Sequence, residues 1–143
     1  MPKIFESHGR MRVYTFGQVF VSEVEGPWNI ELTQRWIREL GPHVLNLARN
    51  GATAGISVFS GSMLCTPESL ELIGRASRET AKVVNIVAMA HVATPDVEAR
   101  DLMQRYFETQ ARDLYEVRLF EEFGAARNWV EGALLAPRDD LDG

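Results

Sequence analysis

The sequence predicts a small α/β domain in which helices pack on a single β-sheet. Two β-branched and aromatic runs, 10–16 and 18–26, flank Gly17, which permits the tight turn of a hairpin. Further along, short apolar runs alternate with segments that have apolar residues at helical spacing. The 143 residues suit one domain, because a chain of this size buries roughly two-thirds of its unfolded surface. The predicted order is β-β-α-β-α-β-α-β-α, with five strands and four helices.

The first predicted helix follows the hairpin. Asn29 can cap it, and apolar residues then recur at helical spacing as far as Asn50-Gly51, where we expect it to end. Gly41-Pro42 interrupts this stretch. Since proline lacks the amide hydrogen and clashes with the preceding turn, we expect a kink or a restart there.

Two strand-loop-helix units form the middle of the chain. The apolar runs "AGISVF" and "VVNIVAMA" are typical of strands covered on both faces of a parallel sheet. Thr66-Pro67-Glu68 and Thr94-Pro95-Asp96 follow them, and each offers a capping hydroxyl, a proline suited to the first helical position and an acid in the first turn. Because a helical crossover joins the two strands, we expect them to be parallel neighbours.

A last strand and a last helix complete the predicted domain. "YEVRLF" alternates as a strand does, and Ala126 and Val130 belong to the inward stripe of the helix that follows. This helix contains two glycines and no strong cap, so docking must stabilise it, and we expect Trp129 to be mostly buried. The domain should span 1–136, and 137–143 should be an acidic, flexible tail.

Composition argues against several classes of function. Twenty acidic and fifteen basic residues give a net charge of −5, so the chain should repel a phosphate backbone, and we expect no nucleic-acid partner. A single cysteine and no zinc-like Cys/His spacing suggest a reducing, cytoplasmic compartment with no metal or other cofactor. We expect neither a signal peptide nor a membrane span, because no apolar run approaches about 18 residues.

Three segments carry a resemblance to a known family. "VFVSEVEGPWNIELTQ" is a strand ending in glycine before an amphipathic helix, "TPESL" opens a helix after an apolar strand, and "YEVRLFEEFGAARNWV" is a strand, an acidic turn and a helix. In this order they resemble the SpoIIAA-like family, whose members share the STAS fold of sulfate transporters and anti-sigma factor antagonists. The resemblance covers nearly the whole chain. It implies a mixed sheet with helices mainly on one side, no cofactor and no established enzymatic activity.

The stretch "FSGSMLCTPESLE" holds most of the polar candidates. It lacks the G-x-S-x-G pattern of a hydrolase elbow, and it has neither the glycines nor the basic residue of a phosphate cradle. Anti-sigma factor antagonists carry an Asp-Ser pair at the start of this helix, but Pro67 stands at the serine's place here, so that phosphorylation switch does not transfer. Ser62, Thr66 and Ser69 are possible phosphate acceptors, although loop and cap roles already explain them.

Cys65, His91 and Asp96 are the candidate catalytic residues. Cys65 precedes a helix N-terminus, which favours its thiolate, and His91 leaves the neighbouring strand at the same edge of the sheet. The three could act as nucleophile, base and orienting group. Against this, the charge of Glu68 raises the thiol pKa, and a lone cysteine after a strand is more often a small buried hydrophobe.

Aromatic and methionine residues form a further set of candidates. They could line an apolar pocket, as in loosely similar lipid-transfer folds, but the core is their default interpretation because helix-spaced aromatics must pack somewhere. The set comprises Trp28, Trp36, Phe59, Met63, Met89, Met103, Tyr106 and Phe107.

The leading functional hypothesis is a non-enzymatic, STAS-like module that regulates or scaffolds through contacts with a protein partner or with a second copy of itself. Binding of a small apolar or lipid-like ligand between helices and sheet is the alternative, and a Cys/His-dependent hydrolase is the third hypothesis. The candidate ligand or partner residues are Phe59, Ser60, Ser62, Met63, Thr66, Tyr106 and Phe107.

Overall fold

Five strands form one mixed sheet in the computed structural model, which describes residues 10–136. The strands lie side by side in chain order; β1 pairs antiparallel with β2, and every later pair is parallel. The α/β class and the parallel pairing of the third and fourth strands are therefore confirmed. The strands are β1 (Met11–Phe16), β2 (Val19–Glu25), β3 (Thr53–Ser60), β4 (Ile86–Val92) and β5 (Glu116–Phe120).

Four helices cover the sheet: α1 (Ile30–Ala48), α2 (Pro67–Ala81), α3 (Arg100–Gln110) and α4 (Phe123–Leu135). Apolar residues of α1, α2 and α3 pack with Phe20, Phe59 and Met89 on one face. On the other face α4 inserts Ala126 and Val130, both fully buried, against the central strands. Three helices on one side and one on the other agree with the expected arrangement.

The first helix begins where predicted, but proline does not interrupt it. The Asn29 side chain accepts a hydrogen bond of 2.8 Å from the Leu32 amide and so caps α1. Of the kink or restart that the sequence predicts at Pro42, the restart is wrong, because one helix continues through the proline. Leu40 before the proline and Val44 after it are buried in the same apolar cluster. Packing of both halves on one core outweighs the lost hydrogen bond.

The predicted start of α3 at Thr94-Pro95-Asp96 is also wrong, because the helix begins at Arg100. The intervening backbone is already paired with a neighbouring loop. Glu98 donates its amide hydrogen to the Gly61 carbonyl at 3.2 Å and accepts from the Met63 amide at 2.9 Å. A segment held by these bonds cannot form a first helical turn, so tertiary pairing outweighs the local cap signal.

The C-terminal helix docks through the predicted stripe. Trp129 beside it is partly buried, with its ring centroid 5.7 Å from that of Phe120, and the Arg118 guanidinium lies 5.0 Å from the Trp129 ring centroid. The tail predicted over 137–143 lies outside the described residues. Among the helices between residues 10 and 136, none combines the length and the apolar character needed to cross a membrane.

Candidate functional site

An apolar cleft of about 190 Å³ lies between α1 and α2, with the sheet as its floor. Leu45 and Val83 are also part of its lining, and they are 57% and 70% exposed, so the cleft opens to solvent beside them. The sequence predicts a strand that includes Val83, whereas in the structure this residue follows α2. The main walls and floor are formed by Phe20, Trp36, Leu40, Val44, Ala76 and Met89.

Two glycines lie at the floor and at the wall of this cleft. Gly55 on β3 lies between Phe20 on β2 and Met89 on β4, and a Cβ at Gly55 would overlap the Phe20 ring and the Met89 sulfur. Both side chains therefore lie over β3 and form a continuous apolar floor. Gly41 lines the α1 wall, and a Cβ there would project into open space.

A smaller cavity of about 60 Å³ adjoins the cleft. Trp36, Ser77, Met89 and Tyr115 line both spaces, so the two are neighbours. Burial raises the pKa of Tyr115 above its usual value. The remaining walls of this inner cavity include four aromatic rings, those of Trp28, Phe59, His91 and Phe107, and two polar side chains, Ser57 and Gln110.

His91 is one of the polar residues that line the inner cavity. Its Nδ1 lies 2.8 Å from Gln104 Oε1, and the Gln104 Nε2 donates to the Glu108 carboxylate at 2.9 Å. Phe59 and Phe107 meet the imidazole edge to face, with centroids 5.2 and 5.4 Å away. Burial lowers the pKa of His91 to about 4, so the ring is neutral at pH 7.

The structure does not bring Cys65, His91 and Asp96 into a hydrogen-bonded triad. The Cys65 thiol donates to the Met63 carbonyl at 3.5 Å, while the Asp96 carboxylate is exposed and accepts from Thr94, which lowers the pKa of Asp96. The expectation that His91 leaves its strand is wrong, because β4 continues to Val92 and holds the imidazole in the core.

The Cys65 thiol should be less reactive than a free thiol. Burial raises the pKa of Cys65 to about 12, and the thiolate is the nucleophile. We expect iodoacetamide to alkylate the folded protein at pH 7 more slowly than it alkylates free cysteine, and denaturant to restore the ordinary rate. A rate above that of free cysteine, lost in His91→Ala, would instead favour the hydrolase hypothesis.

The candidate residues at the end of β3 and in the loop that follows it have structural roles. Ser60 is exposed at the strand end, whereas Ser62 is buried and accepts from the amide two residues on at 3.0 Å. Met63 is fully buried. Thr66 caps α2 by accepting a bond of 3.2 Å from the Ser69 amide. These residues hold the loop between β3 and α2, and none of them lines the cleft or the inner cavity.

The aromatic candidates divide between two places. Phe59 and Phe107 line the inner cavity, as do Trp28 and Trp36 of the wider aromatic set. Tyr106 lies on the outer side of α3 and is 50% exposed. The cavity residues Ser77 and Tyr115 were missed, because no local pattern distinguishes a cavity-lining residue from an ordinary helix or strand residue.

A scan of the sequence against protein-family models finds no match, and a search of the curated proteins finds no significant match. Within residues 10–136, no cluster of three or more His, Cys, Asp or Glu side chains is placed to hold a metal ion. The cleft and the inner cavity are two places in the described residues where a ligand could bind.

Proposed function

We propose that this chain is a binding module for a small, uncharged, apolar ligand that occupies the cleft between α1 and α2. One observation carries the proposal: the cleft is lined by apolar side chains, with no charged residue among the lining residues, and it opens to solvent. Its volume of about 190 Å³ is of the order of an apolar cavity of roughly 150 Å³ that binds benzene. A single ring or a short aliphatic chain matches this size.

The energetic reason for binding is the apolar surface that the cleft leaves in contact with water. Leu45 and Val83 are both more than half exposed, and an apolar ligand seated between them would remove part of their surface, as well as its own, from water. Such burial contributes about 25 cal/mol for each Å² of apolar area. Ser77, Thr80 and Tyr115 add a few hydroxyl groups to an otherwise hydrocarbon lining, which is typical of small-molecule sites.

We assign the domain, within the same proposal, to the SpoIIAA-like family of the STAS fold that the sequence resembles, in the cytoplasm. The mixed sheet and the three helices on one face support this assignment. Among the three functional hypotheses, ligand binding gains the most from the cleft, since the leading hypothesis of protein contacts does not require a cavity.

Blocking the cleft should abolish binding. Ala76 lines the cleft on α2, so Ala76→Phe would place a ring inside it. Ala125 is an exposed alanine of α4, on the opposite face of the sheet, and Ala125→Phe is the matched control. With toluene as the ligand in isothermal titration calorimetry, we expect the wild type and Ala125→Phe to bind alike and Ala76→Phe to bind at least about tenfold more weakly.

Two results would contradict the proposal. Wild-type protein that shows no saturable heat with toluene would mean that the cleft does not accept apolar ligands. Equal affinity in Ala76→Phe and the wild type would place the ligand elsewhere.

A second candidate, protein contact, is favoured by the outer side of α3. Leu102 and Tyr106 lie one turn apart on this helix, and each is 50% exposed. Two large apolar neighbours on one helix face suit a contact with a second copy of the chain. Sedimentation should then detect a dimer in the wild type that is lost in a Leu102→Ser, Tyr106→Ser double variant, and a monomeric wild type would contradict this candidate.

A further inference from the structure

Hydrogen bonding determines which nitrogen of His91 carries the proton. The Glu108 carboxylate can only accept, so the Gln104 amide turns its nitrogen toward Glu108 and its oxygen toward His91. An amide oxygen also only accepts, and His91 Nδ1 must therefore be the donor of the 2.8 Å bond. Because the ring is neutral, Nε2 carries no hydrogen and is an acceptor.

This acceptor has no hydrogen-bond donor among the described residues. His91 is 7% exposed, and its only hydrogen bond within residues 10–136 is the one made by Nδ1. The Phe59 and Phe107 rings beside it have no N–H or O–H group. Donor side chains do line the inner cavity, among them Trp28, Ser57 and Gln110, but none of them makes a hydrogen bond with His91. An acceptor this deeply buried normally has a partner, so its lack of one points to a missing donor.

The inner cavity is the open space that His91 lines. In the described part of the chain, the fully enclosed side-chain nitrogen and oxygen atoms that lack a hydrogen bond are Trp28 Nε1 and Thr53 Oγ1. His91 Nε2 also lacks a hydrogen bond, but it is not one of these fully enclosed atoms. It therefore adjoins open space. The space that His91 lines is the inner cavity, whereas Gln104, on the Nδ1 side, does not line it.

We propose that the ligand of this module carries a hydroxyl group, which enters the inner cavity and donates to His91 Nε2 while the apolar body of the ligand fills the cleft. This inference rests on the proposed function and specifies its ligand as an uncharged alcohol or phenol. The inner cavity of about 60 Å³ has room for a hydroxyl group, and four shared lining residues join it to the cleft.

The same lining discriminates against charged analogues. Neither space has a lysine, arginine, aspartate or glutamate among its lining residues. A carboxylate in the inner cavity would lose its hydration without a cation to offset the loss, and it would have no hydrogen to donate to His91. A fatty acid anion should therefore bind more weakly than the alcohol of the same length.

The experiment compares two isomers of the same atomic composition, 1-hexanol and methyl pentyl ether. Only the alcohol can donate a hydrogen bond. In calorimetric titrations of the wild type, we expect the alcohol to bind about three- to tenfold more tightly than the ether. His91→Phe keeps an aromatic ring and removes Nε2, so the difference between the isomers should disappear.

His43→Phe is the matched control, because His43 is an exposed histidine of α1 that lines neither cavity. It should retain the preference for the alcohol. If both isomers bind the wild type equally, the cleft binds apolar ligands but His91 takes no part, and only this inference is overturned. If neither isomer binds, the proposed function fails together with it.

A spectroscopic measurement tests the inference even if His91→Phe does not fold. Two-bond ¹⁵N–¹H correlations of the wild-type imidazole at pH 7 should identify Nδ1 as the protonated nitrogen, and the Nε2 resonance should shift on addition of 1-hexanol and not of the ether. A proton on Nε2, or the same response to both isomers, would overturn the inference.

Discussion

Replacing Phe59 with alanine should lower the free energy of unfolding by about 3 to 5 kcal/mol. The ring is 6% exposed and lies between other aromatic rings, 6.0 Å from Trp28, 6.0 Å from Phe107 and 5.2 Å from His91, measured between centroids. The inner cavity already adjoins it, so truncation would enlarge an existing void. A loss of this size is a large part of the roughly 5 to 15 kcal/mol that stabilises a domain.

Tyr106→Ala is the control for this prediction. It removes an aromatic ring from α3 that is 50% exposed, and substitutions at such positions change stability by about 0.5 kcal/mol or less. Urea denaturation of the wild type and both variants at pH 7 measures the loss in free energy of unfolding for each variant. Similar losses in the two would mean that Phe59 is not part of a packed core.

Acidification should destabilise the protein through His91. Burial lowers the pKa of His91 from 6.5 to about 4 in the folded protein, so between these values the unfolded chain binds more protons. The contribution of neutral His91 to the free energy of unfolding is therefore complete above about pH 6.5 and is lost progressively as the pH falls toward 4. From pH 7 to pH 5 the free energy of unfolding should fall by about 2 kcal/mol from this group alone.

Two variants separate the contribution of His91 to the pH dependence of stability from the contributions of the other titrating groups. His91→Phe should show a much flatter pH dependence between 7 and 5, whereas His43→Phe, at an exposed position, should keep the wild-type slope. Denaturation curves at several pH values give these slopes. If His91→Phe retained the full wild-type slope, the imidazole would not be buried in its neutral form.

Local chemistry was sufficient to predict the elements whose boundaries depend on one or two residues. Gly17 adopts φ of +53° in the hairpin turn, a conformation that glycine reaches at little cost. Asn29 and Thr66 cap their helices through their own side chains. The parallel order of β3 and β4 followed from the helical crossover between them, which is a property of the chain connection and not of any distant contact.

Distant contacts determined what the sequence predicted wrongly. The cap signal at Thr94-Pro95-Asp96 was overridden by backbone bonds to the loop at Gly61 and Met63. The restart expected at Pro42 was prevented by burial of α1 on both sides of it. Neither effect can be predicted from a short window, because each depends on segments that are far apart in the chain.

The cleft was only partly predictable for the same reason. Trp36 and Met89 were recognised as possible pocket residues from their size and character, and both line the cleft. The sequence predicts that Gly41 belongs to a helix break, whereas in the structure it lies within α1 and lines the cleft. Ser77 and Tyr115 come from α2 and from the segment before β5, and only the packed structure brings them together.

Binding of an apolar ligand in the cleft can be observed directly in a titration of methyl-¹³C-methionine protein with toluene, followed by NMR. Met89 lines the cleft, while Met63 and Met103 are buried in the core and line neither cavity. We expect a saturable shift of the Met89 methyl resonance, with the Met63 and Met103 resonances nearly unchanged. An unchanged Met89 resonance, or equal shifts of all three, would contradict the binding of an apolar ligand in the cleft.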